Sequence, residues 1–420
     1  MHATLRTGAA TVACFLLLTG DLRAQEPSSS GLSLPETLAR FHANSPRLEI
    51  ARARLRSDLG RARQGTAIPN PTLSGTHEDL GAYSESYLLV NQPLAFLWER
   101  GARSERADAL ARESRARFMA DSTRLVVSVK KAWVDAGAAR SAAAALRTTA
   151  AVFDGLVADA EARVAEGDLA GYDLRRLRWE RARLASRLAL AEVTLEEAER
   201  ELGALISNGD GLMRVAAGDA VEASPPEIPT DPLSLAMARR ADLAAADASI
   251  EALSADAGLV GRSWLTGTTA TGGVKTQADG QDGWFVGFEV PVPLTDRRGA
   301  AREAAAADVN EAMAQRDALA RAITLDVRRA ESRLSSARMQ ARLVADVATG
   351  DGEETLLEIA RLAYDEGEIG IVELLDAARA WLDARTLRDR IRADAWMAYF
   401  DLEAAVGGFE VAAETGGNDR

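Results

Sequence analysis

Residue types that commonly carry out catalysis or bind metals are few and scattered in this chain. The histidines are His2, His42 and His77, and the only cysteine is Cys14. Their spacing matches neither a zinc site nor a nucleophile beside a base. A glycine-rich stretch over residues 267–276 is faintly similar to a phosphate-binding loop, but Gly273 stands where such a loop needs lysine. We therefore expect no enzyme activity, no metal site and no cofactor.

The bulk composition favours long helices over a fold built mainly from sheets. Hydrophobic residues make up 47% of the chain but aromatic residues only 5%, and Ala and Leu supply most of the apolar content. Chains rich in Ala, Leu, Arg and Glu favour helices whose backbones approach each other closely. The net charge of -13 argues against nucleic acid as a partner, because phosphate contacts need a basic surface.

Residues 1–24 have the features of a secretory signal peptide. Arg6 precedes a short apolar run over residues 9–18, and Ala24 is a small residue at a plausible cleavage point. Cys14 lies inside this apolar run, so the mature chain would contain no disulfide. No later segment is apolar enough for a membrane helix, so we expect an exported chain that is either free in the periplasm or crosses a membrane as strands.

The prolines divide the remaining chain into two similar halves. Residues 94–224 and 294–420 contain no proline, which permits very long helices. We predict such helices over about residues 101–166 and 299–366, each on the order of 100 Å long. Landmarks recur at a shift of 200 positions: residues 93–94, 166–169 and 173–174 correspond to 293–294, 366–369 and 373–374. This spacing indicates an internal duplication.

Each half also predicts a shorter first helix and a β-hairpin. The first helices are expected at about residues 35–64 and 232–258, and the hairpins at about 72–91 and 263–292. In the second hairpin, Trp284, Val286 and Phe288 alternate with other residues, which indicates a strand with one bulky apolar face. The predicted boundaries are a first repeat over 25–206, a linker over 207–231, a second repeat over 232–406 and a tail over 407–420.

With these elements, the chain resembles the TolC-like outer-membrane efflux proteins over nearly all of its mature length. The segments that carry the resemblance are Ile68–Leu73, Gln92–Leu94, Arg100–Arg103, Gly167–Leu174 and Gly367–Ala377. The Pro69-Asn70-Pro71 stretch and the charged segment after the first hairpin are most similar to the heavy-metal-export branch of that family.

The resemblance implies a mainly α-helical homotrimer with a small β part. Two hairpins from each of three subunits would close one membrane barrel of twelve strands, which leaves no sheet edge in lipid. The long helices would continue it as a coiled-coil tunnel across the periplasm, toward a periplasmic adaptor and an inner-membrane pump of the RND type. Such a subunit would be a passive conduit for small molecules, and the resemblance to the heavy-metal-export branch favours metal cations slightly over drugs or other small molecules.

The two glycine turns would then be the periplasmic tips that contact the adaptor. The tip residues are Gly167, Asp168, Leu169, Gly367, Glu368 and Ile369. A glycine after a long helix is expected in the left-handed conformation, and the next helices should start near Ala170 and Gly370. Members of the family usually have Ser or Thr at these caps, so side-chain capping should be weaker here.

The resemblance also implies a gate near these tips. By analogy with relatives, Tyr364 would bond Asp173 and hold the tip closed, while Glu373 and Asp376 would form acidic rings around the axis. In relatives a basic residue helps this latch, and Ile369 stands in its place here, so the closed state could be latched differently. The alternative interpretation is that these acids only stabilise helix N-termini.

A second class of protein also fits a helix-rich exported chain. A soluble periplasmic coiled-coil protein, such as an adaptor or a structural protein, would share the long helices and the signal peptide. An adaptor, however, would need a β-rich carrier domain split by a single helical hairpin, and it would show no duplication.

Overall fold

Helices dominate the structure, which is a computed structural model and describes residues 31–79, 81, 83–207, 213–214, 224–262, 265–292, 294–295, 298–348 and 353–409. The expected signal peptide lies outside these residues, as do parts of the predicted linker and tail. Among the described residues, no helix is both long enough and apolar enough to cross a lipid bilayer.

The first helix of each half is broken in two, which corrects the prediction of single helices over 35–64 and 232–258. Helices α1 (Leu34–Asn44) and α2 (Pro46–Gln64) meet at Ser45, whose ψ of 120° is extended. Proline excludes the preceding residue from helical geometry, and this explains the break. Helices α5 (Pro232–Arg239) and α6 (Ala241–Arg262) are also separated by one extended residue, Arg240, with ψ of 113°, although alanine and not proline follows it.

A helix of 71 residues, α3 (Phe96–Glu166), runs from the β-sheet to the first glycine turn. It begins five residues before the predicted start, soon after the last proline of that region. Helix α4 (Gly171–Ile206) returns from the turn. In the second half, α7 (Gly299–Ala348) and α8 (Glu353–Asp365) lead to the second turn, and α9 (Ile371–Val406) returns. The predicted continuity of residues 299–366 rests on 349–352, which are outside the described residues.

The strands form one antiparallel sheet in the order β1-β2-β3-β4. Strands β1 (Thr72–Asp79) and β2 (Ser84–Pro93) form the first hairpin, and β3 (Thr269–Gln277) and β4 (Asp282–Glu289) form the second. The two hairpins join through β2 and β3, from Glu85 opposite Gln277 to Pro93 opposite Thr269. The sheet therefore unites the two halves of the chain and leaves β1 and β4 as its edges.

Three apolar clusters hold the helices together. The tip cluster lies beside the glycine turns and combines α3, α4, α8 and α9, with Phe153, Leu177 and Leu374 almost fully buried. A second cluster contains Phe41 of α1 and Phe400 of α9, and a third joins α5, α6, α7 and α9. Because small Ala side chains recur in all three clusters, the helix backbones can pack closely.

Candidate functional site

The two glycine turns lie at the same end of the molecule. Gly167 and Gly367 have φ of 90° and 79°, the left-handed conformation expected of a glycine that ends a helix. Backbone N–H groups of Asp168 and Glu368 donate to carbonyls in the preceding helices at 2.9 and 2.8 Å. Leu169 and Ile369 are partly buried and both pack against the tip cluster.

The helices that follow the turns start without side-chain caps, as predicted. Helix α4 is preceded by Ala170 and α9 by Gly370, and neither residue has a side-chain hydrogen bond to the helix. The Glu373 side chain folds back instead: a Cβ added at Gly370 would come within 2.8 Å of its Oε2 atom. This fold-back places a carboxylate at the positive end of α9.

The expected latch pair is brought to one region, but the two side chains are not bonded. Tyr364 is 7% exposed and belongs to the tip cluster, whereas Asp173 is half-buried one residue before Leu174 of that cluster. Within this single chain, these two described side chains form no hydrogen bond with each other. The neighbour of the Tyr364 ring is Arg163, whose guanidinium lies 5.7 Å from the ring centroid.

An ionic network joins α4 to α9 a few turns above the tips. Arg379 donates to both carboxylate oxygens of Glu180 at 3.0 and 2.7 Å, and it lies 3.5 Å from Asp376. The Glu180 side chain is only 11% exposed. The hydrogen bonds from Arg379 lower the pKa of the Glu180 carboxyl, despite the opposing effect of burial. Sequence reasoning identified Asp376 but missed Glu180 and Arg379, which are 199 positions apart.

The far end of the molecule carries a sheet with two chemically different faces. On one face, large apolar side chains are exposed to solvent, although each would be buried in an ordinary soluble sheet. These include Leu73 (70%), Leu88 (51%), Val274 (54%), Trp284 (82%), Val286 (59%) and Phe288 (72%). An exposed apolar face of this kind marks a contact with lipid or with another protein.

The opposite face of the sheet is largely polar and internally hydrogen-bonded. Asn91 donates to Ser74 at 3.1 Å and accepts from Thr271 at 2.7 Å, so one row of polar groups crosses β1, β2 and β3. A polar lining beside a lipid-facing apolar surface is the pattern of a membrane strand around an aqueous lumen.

Glu85 is the centre of a second polar group on this face, near the hairpin turns. It is 8% exposed and accepts hydrogen bonds from Tyr87 at 2.6 Å and Gln277 at 2.9 Å, as well as from Tyr83. Lys275 lies 2.5 Å from the same carboxylate. The sequence could have indicated part of this group, because Tyr83 and Tyr87 each lie two residues from Glu85 and therefore share its face of the strand.

Within the described part of the chain, no group of three or more His, Cys, Asp or Glu residues could hold a metal ion. The acids at the tips instead pair with arginines or face solvent. The paired acids therefore hold neighbouring helices together, and the solvent-facing acids add negative charge to the surface of the tips.

Comparisons with known proteins show which structures share this fold. No curated protein matches the chain in sequence. The Campylobacter jejuni CmeC outer membrane channel is similar in structure, with a TM-score of 0.72, 16% identity, and coverage of 98% of this chain and 96% of that one. A crystal structure of CusC, described in terms of folding and transmembrane channel formation, is also similar. Its TM-score is 0.72 at 17% identity, with coverage of 89% of this chain and 92% of that one. The open state of the Neisseria gonorrhoeae MtrE outer membrane channel has a TM-score of 0.71 at 17% identity, with coverage of 90% of each chain. Residues 233–408 match the family described as outer membrane efflux protein. The chain thus has the fold of outer-membrane channels, and its second half matches the family of outer-membrane efflux proteins.

Proposed function

We propose that this chain is the outer-membrane channel subunit of a tripartite efflux system of the TolC type. Three copies would form a passive conduit from the periplasm to the exterior. Residues 1–24 would be removed on export, and the repeats over 25–206 and 232–406 would each supply one hairpin and one long helical hairpin. A periplasmic adaptor would contact the tips, and an inner-membrane pump of the RND type would deliver the cargo.

One observation supports this proposal most directly: the sheet has an exposed apolar face, a polar face and two open edges. A sheet of four strands with unpaired edges cannot lie in lipid alone, because each unpaired N–H or C=O group costs several kcal/mol there, as an order of magnitude. Three copies would close a ring of twelve strands with the apolar face toward lipid and the Glu85 face toward the lumen.

The glycine turns and the residues near them are proposed as the adaptor contact and the gate. Tyr364 and Asp173 are the candidate latch. Threefold symmetry would place three copies of Glu373 and Asp376 around one axis, which would concentrate cations and disfavour anions there. The acids favour cationic cargo weakly, and resemblance to the heavy-metal-export branch agrees with this; drugs or other small molecules are the alternative cargo.

Fractionation and bilayer recording test the proposal together. We expect heat-resistant trimers in outer-membrane fractions on detergent gels, and stepwise conductance when purified protein is added to planar bilayers. Monomers in the periplasmic fraction without conductance would contradict the proposal and favour a soluble coiled-coil protein.

A further inference from the structure

The junction between the sheet and the helices is basic in an otherwise acidic chain. Helices α2 and α6 end at this junction, and α3 and α7 begin there, each separated from a strand by a short segment. These helix ends, with Arg298 just before α7, are residues 57–64, 96–103, 255–262 and 298–305. Together they carry seven arginines and four acids, whereas the whole chain has a net charge of -13. Positive charge is therefore concentrated beside the sheet.

The exposed apolar surface of the sheet continues up to this junction. Beyond the strands, Val292 is 71%, Leu294 is 81% and Leu97 is 62% exposed. Arg100 follows Leu97 by three residues. Arg298 follows Leu294 by four residues, and both arginines are exposed. Arginines at the edge of a lipid-facing surface attract anionic headgroups, over a distance of about 8–10 Å in physiological salt.

A cavity of about 460 Å³ opens at the junction between α3 and α6. This volume is within the range of roughly 300–1,000 Å³ found for sites that bind small ligands. The charged residues that line the cavity are three arginines and two acids, namely Arg103, Arg106, Arg298, Glu99 and Asp256. The lining therefore has one net positive charge, which favours an anion.

Two of these arginines are held in place by acids that use only part of each guanidinium group. Arg103 donates to Glu99 through Nε and Nη2 at 2.9 and 2.6 Å. Glu99 also accepts a hydrogen bond from Thr266 at 2.7 Å, and Arg106 Nε lies 2.5 Å from Asp256. A guanidinium group has five N–H donors in one plane, so both arginines retain donors that fit the oxygens of a phosphate group.

Arg298 has a strained backbone at the edge of the cavity. Its φ of 56° is left-handed, and no other non-glycine residue in the described part of the chain has a positive φ. Strain of this kind is concentrated at sites that bind ligands. Close by in the sequence, Thr268 Oγ1 and Trp98 Nε1 are buried and have no hydrogen-bond partner among the described residues. Because buried polar groups are normally paired, these features indicate a site for a polar ligand.

From these observations, and resting on the proposed function, we infer that the cavity binds the phosphate group of an anionic lipid in the periplasmic leaflet. In the proposed barrel, the hairpin turns face the exterior and the helices face the periplasm. The junction therefore lies at the headgroups of the periplasmic leaflet. Arg103, Arg106 and Arg298 would donate to the phosphate oxygens, and Leu97 and Leu294 would contact the acyl chains. Inorganic phosphate has the same oxygens but no acyl chains, so it should bind more weakly.

Lipid-dependent stabilisation of the purified trimer tests this site. A ligand that binds only the folded state raises the melting temperature as its concentration rises. We expect phosphatidylglycerol to raise the melting temperature of the delipidated trimer in nonionic detergent, as followed by circular dichroism. The same concentration of phosphatidylcholine or inorganic phosphate should raise it much less. Equal stabilisation by inorganic phosphate would indicate a site for free anions and contradict the lipid assignment.

Three variants locate the binding. Asn tolerates the left-handed conformation, so Arg298→Asn removes a donor without adding strain and should raise the half-saturating concentration of phosphatidylglycerol about tenfold. Asp256→Asn removes a competing carboxylate and should lower that concentration. Arg100→Asn is the matched control, because Arg100 is an exposed arginine of the same junction that does not line the cavity. Equal losses with Arg100→Asn and Arg298→Asn, or no gain with Asp256→Asn, would overturn the inference.

The outcomes separate this inference from the proposed function. Trimers with normal conductance, but with a melting temperature that does not respond to phosphatidylglycerol, would overturn the lipid site and leave the channel intact. Wild-type protein without trimers or conductance would remove the proposed function itself.

Discussion

The most quantitative prediction concerns the buried ion pair between α3 and α9. Lys130 Nζ lies 2.7 Å from Glu403 Oε1, and the two side chains are only 9% and 6% exposed. The other carboxylate oxygen of Glu403 is buried and has no hydrogen-bond partner among the described residues. The ammonium group of Lys130 also lies 5.5 Å from the centre of the Phe400 ring. Lys130 is therefore the main compensation for a buried negative charge.

Replacement of Lys130 by methionine should leave that charge without compensation. Removing one partner of a buried pair typically costs about 3–5 kcal/mol, whereas replacing both with apolar residues is often close to neutral. We expect Lys130→Met to lower the free energy of unfolding by about 3–5 kcal/mol, and Lys130→Met with Glu403→Met to regain most of that loss. The measurement is unfolding in guanidinium of the detergent-solubilised protein, followed by the helical far-ultraviolet circular dichroism signal.

The adjacent ion pair provides a matched control. The side chains of Lys131 and Asp401 are each 33% exposed, so Lys131→Met should cost only about 0–1 kcal/mol. The reasoning is refuted if Lys130→Met costs no more than Lys131→Met, or if the double variant with Glu403→Met is as unstable as the single one. The first result would show that solvent or another group compensates Glu403, and the second that the loss does not come from an uncompensated charge.

Three further predictions address pH, the gate and the sheet. The lowered pKa of Glu180 means that its pairing stabilises the fold at neutral pH and is lost as the pH falls below the ordinary glutamate value of about 4.3. Glu180→Gln should therefore flatten the fall in melting temperature between pH 7 and pH 3.5, as followed by circular dichroism; an unchanged slope would exclude this pair as the cause. Tyr364→Phe or Asp173→Ala should raise single-channel conductance in planar bilayers, and unchanged conductance would remove the latch assignment. Val286→Arg on the apolar face should lower trimer yield in outer-membrane fractions, because arginine facing mid-bilayer lipid costs about 2–4 kcal/mol. Thr271→Arg on the opposite face should leave the yield nearly normal, and equal losses would contradict the assignment of the two faces.

Local signals predicted the long helices and their turns. The absence of proline after Pro93 predicts a very long helix, and Gly167 ends it in the left-handed conformation that this position requires. The break at Ser45 was also readable, because Pro46 follows it. The predicted strand beyond Glu289 failed for a similar reason: Pro291 has no N–H group to donate to a neighbouring strand, and β4 ends before it.

Contacts between distant parts of the chain could not be read in the same way. Glu180 and Arg379 belong to different halves, and nothing in their local sequence distinguishes them from the other charged residues on α4 and α9. Their pairing depends on how α4 and α9 both pack against α3, which is a property of the tertiary structure. The polar group around Glu85 could be predicted only in part. Strand periodicity places its tyrosines on one face, but Lys275 joins them only through the pairing of β2 with β3.

The sheet and the helices share one asymmetry, and it constrains any assembly. In the sheet, β1 of the first half lies at one edge and β4 of the second half at the other. At the tips, α4 of the first half and α8 of the second half are likewise the outer members. In the proposed trimer, β4 of one copy would pair with β1 of the next, so that first and second halves alternate around the sheet and no edge is left open.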